Sequence, residues 1–179
     1  MKAIVFLADG FEECEGLIVV DILRRAGVET LMASVMGRLE VDSSRHIKIQ
    51  ADMLAEDADY DSADILILPG GRLGTENLAK SGIVKEQCGL FSKGRYLAAI
   101  CAAPSVFAGL GLLEGKKATC HPDFEKHMAG AALTGKSVSV DGSIITGQGL
   151  GASFEFAFTI VKLLVGEEKV RQIKKAICY

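Results

Sequence analysis

The chain contains no tryptophan, three prolines and three histidines among 179 residues, and aromatic residues make up only 6%. No proline-rich or low-complexity stretch interrupts it and no internal repeat appears, so neither a linker nor a solenoid array divides it. No basic block exists and the net charge is −3, which argues against nucleic acid as a partner. The N-terminal apolar run Lys2-Ala-Ile-Val-Phe-Leu-Ala8 is too short for a membrane span. It also lacks the charged lead, long apolar region and cleavage site of a secretory signal, so the expected location is cytoplasmic. The five cysteines are odd in number and none are spaced C-x-x-C, against a disulfide framework or a zinc site. His121 and His127 lie too far apart for an i, i+4 metal pair on a helix. No metal and no cofactor are expected.

What is present is a globular composition, 49% hydrophobic and 24% charged, enough for one domain spanning 1–179. Apolar runs alternate with longer amphipathic segments, the pattern of a parallel sheet covered by helices. Strands are expected at Ala3–Ala8, Glu29–Ser34, Ile65–Leu68 and Tyr96–Ile100. Each of the first, third and fourth is a continuous apolar run, as a strand buried on both faces requires. Residues 35–53 read as a β excursion carrying Ile47 and Ile49. Asp141-Gly142 between Ser137–Val140 and Ser143–Thr146 signals a hairpin. Helices are expected over Glu12–Ala26, Ile83–Lys93, Pro104 to about Leu110, Ser153–Val165 and Glu167–Ala176. Asp9 is the expected cap of the first helix with Glu12 three residues on, and Ser153 the expected cap of the fourth.

In open α/β sheets, chemistry collects at the carboxyl ends of the strands. Three such ends here carry unusual residues: Asp9–Glu15, Pro69-Gly70-Gly71 and Cys101. Cys101 ends an apolar strand, small residues flank it, and Pro104 opens a helix. The run Ala99-Ile100-Cys101-Ala102-Ala103 is laid out like the G-x-S-x-G elbow of serine hydrolases, with alanine for glycine. Amides at a helix N-terminus favour thiolate over thiol. From this segment alone two readings stand: a nucleophile, or a small buried cysteine that only packs.

The other candidates sharpen the choice. Glu12 and Glu13 read as macrodipole complements in a first turn. Glu15 precedes Gly16 and an apolar run, so it can face the strand ends beside Cys101. A carboxyl beside a thiolate has its pKa raised, and once protonated it can donate to sulfur or shuttle a proton. Pro69-Gly70-Gly71 matches neither phosphate-loop pattern, but its amides, with that of Ala102, could form an oxyanion hole. His121, in Cys120-His-Pro122, is a candidate base for Cys101 or a structural hydrogen-bonder. Cys120 reads as packing, and His46 and His127 as surface residues.

Taken together, Leu7-Ala-Asp-Gly-Phe-Glu-Glu-Cys-Glu15, Asp21-Ile-Leu-Arg-Arg-Ala-Gly27, Leu68-Pro-Gly-Gly71, Ala99-Ile-Cys-Ala-Ala-Pro104, Cys120-His-Pro122 and Gly149-Leu-Gly-Ala-Ser-Phe-Glu-Phe-Ala157 occur in an order that resembles the ThiJ/PfpI superfamily. The resemblance is strongest to the branch of the Parkinsonism-associated protein deglycase and its bacterial chaperone-like relatives, and it spans nearly the whole chain. It implies an α/β, flavodoxin-like three-layer sandwich, related to class I glutamine amidotransferase domains, and a homodimer. It implies a reactive cysteine at Cys101, an acidic partner at Glu15, site amides at Gly70, Gly71 and Ala102, a nearby histidine at His121, and an arginine near the dimer contact at Arg45. The implied activity is that of a cofactor-independent glyoxalase or deglycase on reactive dicarbonyls or glycated protein. The alternative is a redox-sensing chaperone that uses oxidation of Cys101. Peptidase members of the superfamily place histidine directly after the cysteine; Ala102 stands there instead, which argues against proteolysis. The thiazole monophosphate biosynthesis label carried by many such chains finds no support in these residues.

Overall fold

The structure is a computed structural model describing residues 1–179. The strands are β1 (Lys2–Leu7), β2 (Glu29–Ser34), β3 (Glu40–Asp42), β4 (Lys48–Gln50), β5 (Met53–Leu54), β6 (Ile65–Leu68), β7 (Tyr96–Ile100), β8 (Lys117–Ala118), β9 (Ala132–Leu133), β10 (Val138–Asp141) and β11 (Ile144–Gly147). The helices are α1 (Glu13–Arg25), α2 (Arg72–Lys80), α3 (Gly82–Phe91), α4 (Pro104–Gly109), α5 (Ser153–Leu164) and α6 (Glu167–Ala176). Seven strands form one sheet in the order β10-β11-β7-β6-β1-β2-β5, parallel except for the β10–β11 hairpin. The expected hairpin forms about Asp141-Gly142, and the β excursion resolves into the β3–β4 pair and the short edge strand β5.

Side chains alternate across a strand, so a sheet buried on both faces feeds two cores. Ala3, Val5, Leu7, Ile65, Ile67, Ala98 and Ile100 point to the side covered by α1, α5 and α6, where Ile22, Leu23, Phe156, Ile160 and Ile173 meet them. Ile4, Phe6, Ala8, Leu66, Leu68, Leu97 and Ala99 point to the other side, against Leu78, Val84, Phe91, Val106 and Phe107 of α2, α3 and α4. This is the flavodoxin-like three-layer α/β sandwich. Burying one such aliphatic side chain contributes about 1.5–3 kcal/mol, and both layers depend on it. None of the helices is long and apolar enough to cross a membrane.

Three local expectations are corrected. Asp9 does not cap α1; its carboxylate accepts from the Asp42 amide and pairs with Arg38 at 2.7 Å. Glu12 is the cap, its Oε2 accepting from the Glu15 amide at 2.8 Å. Ser153 does not cap α5 either: it already has helical dihedrals, Ala152 takes the cap position, and the Ser153 hydroxyl is buried without a partner. Helix α2 was not anticipated, because Gly74 interrupts its apolar pattern. Gly74 is required there because a Cβ would lie 2.6 Å from the Phe11 backbone.

The sheet order reverses about β1. From β1 the chain crosses to β2 on one side, while β6 and β7 lie on the other. The loops after β1 and β6 therefore run apart, and a crevice opens at the carboxyl ends of β1, β6 and β7.

Candidate active site

Each of those three strands delivers one part of the site. After β1, the chain turns through Ala8–Phe11 and enters α1, whose first turn carries Glu15. Glu15 is 1% exposed. After β6, Pro69-Gly70-Gly71 passes beneath it. After β7 comes Cys101, with φ of 64°, in the left-handed region that costs a non-glycine residue about 1–2 kcal/mol. Its amide donates to Gly147 O at 2.9 Å, and its carbonyl accepts from the His121 amide at 2.9 Å. These two bonds, one to each neighbouring segment, hold the strained residue in place. The elbow read from the sequence is therefore real in its backbone, and it presents a half-buried thiol to a cavity of about 590 Å³.

The Glu15 carboxyl and the Cys101 thiol are within hydrogen-bonding reach of each other. Glu15 Oε2 accepts from the Gly70 amide at 3.0 Å. The amides of Gly71 and Ala102 point at the sulfur. Of the three amides expected to form an oxyanion hole, that of Gly70 is thus occupied by Glu15. Burial raises the Glu15 carboxyl to about 7, the charge of Glu12 adding to the rise while bonds from Cys101 and Gly70 oppose it. Like-charge repulsion within the pair, the cause expected from sequence, is not the main one.

Burial first, and then the Glu15 charge, push the Cys101 thiol up to about 12, against the pull of the two amides. The amides do favour the thiolate, as expected, but burial and the Glu15 charge outweigh them. The repulsive contribution exists only while Glu15 is ionised. A protonated Glu15 exerts no repulsion and donates to sulfur rather than accepting from it. The pair is best described as sharing one proton, and its thiolate form is the one in which Glu15 carries that proton.

The cavity is lined by Glu12, Glu15, Arg45, Cys101, His121, Ser137, Gln148 and the backbone of 149–152, among others. His121 is present in it but its ring makes no hydrogen bond to Cys101. Its Nδ1 accepts from the Asp123 amide at 3.3 Å, which leaves Nε2 to carry the proton of the neutral ring. Arg45 is exposed on the rim, beside Ser44, whose hydroxyl donates to Glu13 Oε2 at 3.2 Å. Cys120 is buried and donates to the His121 carbonyl, and His46 and His127 are exposed, as expected. Glu12, Ser137 and Gln148 were missed as wall residues. Glu12 could have been found, because Glu12-x-x-Glu15 has the spacing of a capping box; Ser137 and Gln148 carry no local signal.

Strand, cysteine elbow and buried carboxyl together define a flavodoxin-like α/β protein with a cysteine at a nucleophile-elbow position. The chain belongs to the DJ-1/PfpI family, whose family model matches residues 1–163. It is 42% identical over 179 residues to the Parkinson disease protein 7 homolog of Danio rerio, covering 97% of this chain and 94% of that one. It is 40% identical over 178 residues to protein DJ-1 homolog B of Arabidopsis thaliana, covering 96% of this chain but spanning only 40% of the length of that relative. The glutathione-independent glyoxalase DJR-1.2 of Caenorhabditis elegans is 32% identical over 170 residues, 93% of this chain and 90% of its own. Among solved structures, oxidized Toxoplasma gondii DJ-1 superposes with a TM-score of 0.95 at 32% identity, covering 99% of this chain and 98% of that one.

Proposed function

We propose that the protein is a cofactor-independent glyoxalase of the deglycase type, acting on small dicarbonyls such as methylglyoxal or on their adducts with protein. The observation that carries this reading is the buried Glu15 carboxyl set against the Cys101 thiol, with two amides on the sulfur and a cavity in front. The kinship with a relative named as a glutathione-independent glyoxalase supports it.

The chemistry follows from the shared proton. Glu15 takes the thiol proton, and the sulfur attacks the aldehyde carbon. As the S–C bond forms, the carbonyl π pair moves to oxygen, which takes the proton back from Glu15. The carboxylate then removes the hydrogen of that carbon as a proton; the C–H pair becomes the C=C bond of an enediolate and the former ketone π pair moves to its oxygen, which takes up the hydroxyl proton of the attacked carbon. Glu15 returns its proton to the neighbouring carbon as the C=O bond forms at the attacked one. A lactoyl thioester results. Water hydrolyses it, releasing lactate and restoring the thiol. The Gly71 and Ala102 amides stabilise the negative charge first on sulfur and then on the oxygen bonded to the attacked carbon. Proton transfer is assigned to Glu15, with His121 a polar wall of the cavity and Arg45 a rim group that meets the substrate. A homodimer belongs to this reading; exposed Ile47, two residues on from Arg45, offers it apolar surface.

Purified protein incubated with methylglyoxal should form lactate, and both Cys101→Ser and Glu15→Gln should reduce formation to background. Lactate formation that survives Cys101→Ser would end the proposal. The same two amides and carboxyl also favour a second reading, in which they hydrogen-bond the oxygens of an oxidised Cys101 in a redox-responsive protein. Peptide mass spectrometry after mild peroxide should then find two added oxygens on Cys101 and none on the other four cysteines.

A further inference from the structure

Glu12 does more than end a helix. Its amide donates to Gly70 O at 2.9 Å. The Gly70 amide donates to Glu15 Oε2 at 3.0 Å, and the Glu15 amide donates to Glu12 Oε2 at 2.8 Å. These bonds close a ring. In an ordinary capping box the carboxyl at the third helical position reaches back to the cap residue's own amide. Here the Gly70 peptide is inserted between the two, so the carboxyl is turned from its own helix toward the strand ends, where Cys101 lies. Glu12 is only half buried, and its carboxylate lines the same cavity as Glu15 and Cys101.

We propose that Glu12 is a positioning residue: its hydrogen bonds fix the Glu15 carboxyl against Cys101, and its negative charge holds a proton on the Glu15–Cys101 pair. The groups that face the Glu15 carboxyl are few. Cys101 comes from the elbow after β7, the Gly70 amide from the turn after β6, and Glu12 from the helix's own start. Arg45 and His121 stand on the cavity wall. The effect on sulfur is indirect, since the charge acting on the Cys101 thiol is that of Glu15. The inference takes only the Glu15–Cys101 pairing from the proposed function, and it is tested without turnover.

The measurement is the rate of Cys101 alkylation by iodoacetamide between pH 5 and 9, followed on the Cys101 peptide by mass spectrometry. Glu12→Gln and Glu12→Ser keep a cap acceptor and lose the charge, whereas Glu12→Asp keeps both. Gln and Ser let Glu15 ionise at lower pH, and its charge then opposes the thiolate, so the alkylation rate should level off about half a pH unit lower, at a plateau roughly three-fold slower, as expected for loss of one nearby like charge. Asp should track the wild type. In a Glu15→Gln background, Glu12→Gln should add no shift. Ser and Asp are both strong caps and carry the comparison should Gln weaken the helix. An unmoved levelling-off and plateau in the uncharged variants, equal changes in Ser and Asp, or a change that persists without the Glu15 carboxyl would overturn the proposal. Absence of lactate formation by the wild type, with the alkylation changes present as expected, would instead count against the proposed function and leave this inference standing.

Discussion

Replacing Gly70 by alanine tests the site with a single methyl group. A Cβ at this position would meet Glu15 Oε2 first, then Cys101 Cβ at 2.6 Å and the Ile100 carbonyl oxygen at 2.9 Å. All three distances lie inside van der Waals contact. Two of the three atoms belong to rigid backbone or to the strained elbow, so the group able to move is the Glu15 carboxyl. Gly70 is not among the left-handed glycines, so the penalty is steric rather than conformational. Overpacking of this kind costs about 1–3 kcal/mol, which for a domain of this size lowers the melting temperature by roughly 2–12 °C. A carboxyl displaced by about 1 Å from a thiol it must exchange protons with should lower kcat/KM by about 10²-fold. The matched control is Gly89→Ala in α3, where a new Cβ meets nothing within 4 Å. There the gain in helix propensity, about 0.5–1 kcal/mol, should raise the melting temperature slightly and leave turnover alone. Calorimetry and lactate formation on the two variants decide the matter. A Gly70→Ala protein that keeps wild-type melting and turnover would show that Gly70 does not separate Glu15 from Cys101 as described.

Two further outcomes follow from the same geometry. Glu15 is raised from 4.5 to about 7, so between those values the folded state holds more protons than the unfolded chain, and stability falls as pH rises through this window. Urea unfolding should therefore show the wild type losing up to about 3 kcal/mol from this group between pH 4.5 and 7, a slope that Glu15→Gln removes; identical slopes in both proteins would refute the buried, protonated carboxyl. His121→Ala leaves the backbone bond to the Cys101 carbonyl in place and removes a ring with no bond to sulfur, so it should lower kcat less than about ten-fold, below the roughly 10²–10⁴-fold loss of a general acid–base group. A loss equal to that of Glu15→Gln would reinstate a cysteine–histidine pair.

The three-layer sandwich was legible because its central strands are unbroken apolar runs, and such runs have few other uses in a chain of this length. Glu15, Gly70 and Cys101 were legible as candidates because each ends up at the carboxyl edge of a strand. Their division of labour was not legible. Whether the Gly70 amide faces an oxyanion or a carboxylate depends on how α1 leans over the turn after β6. That lean is set by the Glu12 cap and by Gly16, where a Cβ would lie 3.0 Å from the Phe11 ring. The misplaced cap shows the limit in a particular case. Asp9-x-x-Glu12 and Glu12-x-x-Glu15 have the same spacing, and only the pull of the Asp42 amide and Arg38 on Asp9 selects the second. Ser137 and Gln148 reach the cavity from the far edge of the sheet, through long-range packing that no local pattern records.

The ring through Gly70 also fixes which proton Glu15 can use. Oε2 accepts from the Gly70 amide, so the proton of the neutral acid belongs on Oε1. A glutamine can reproduce that pattern, its carbonyl oxygen toward Gly70 and its NH₂ free to donate to sulfur. Glu15→Gln therefore removes the buried charge and the transferable proton while keeping a donor for the thiolate. Cys101 should ionise more readily in that variant, because the repulsion from Glu15 is gone, and yet turnover should vanish, because an amide cannot carry a proton from one carbon to the next. Faster alkylation together with lost lactate formation is a combination that simple unfolding of the site cannot produce. It separates the two tasks that one carboxyl performs here: holding a sulfur anion, and moving a proton.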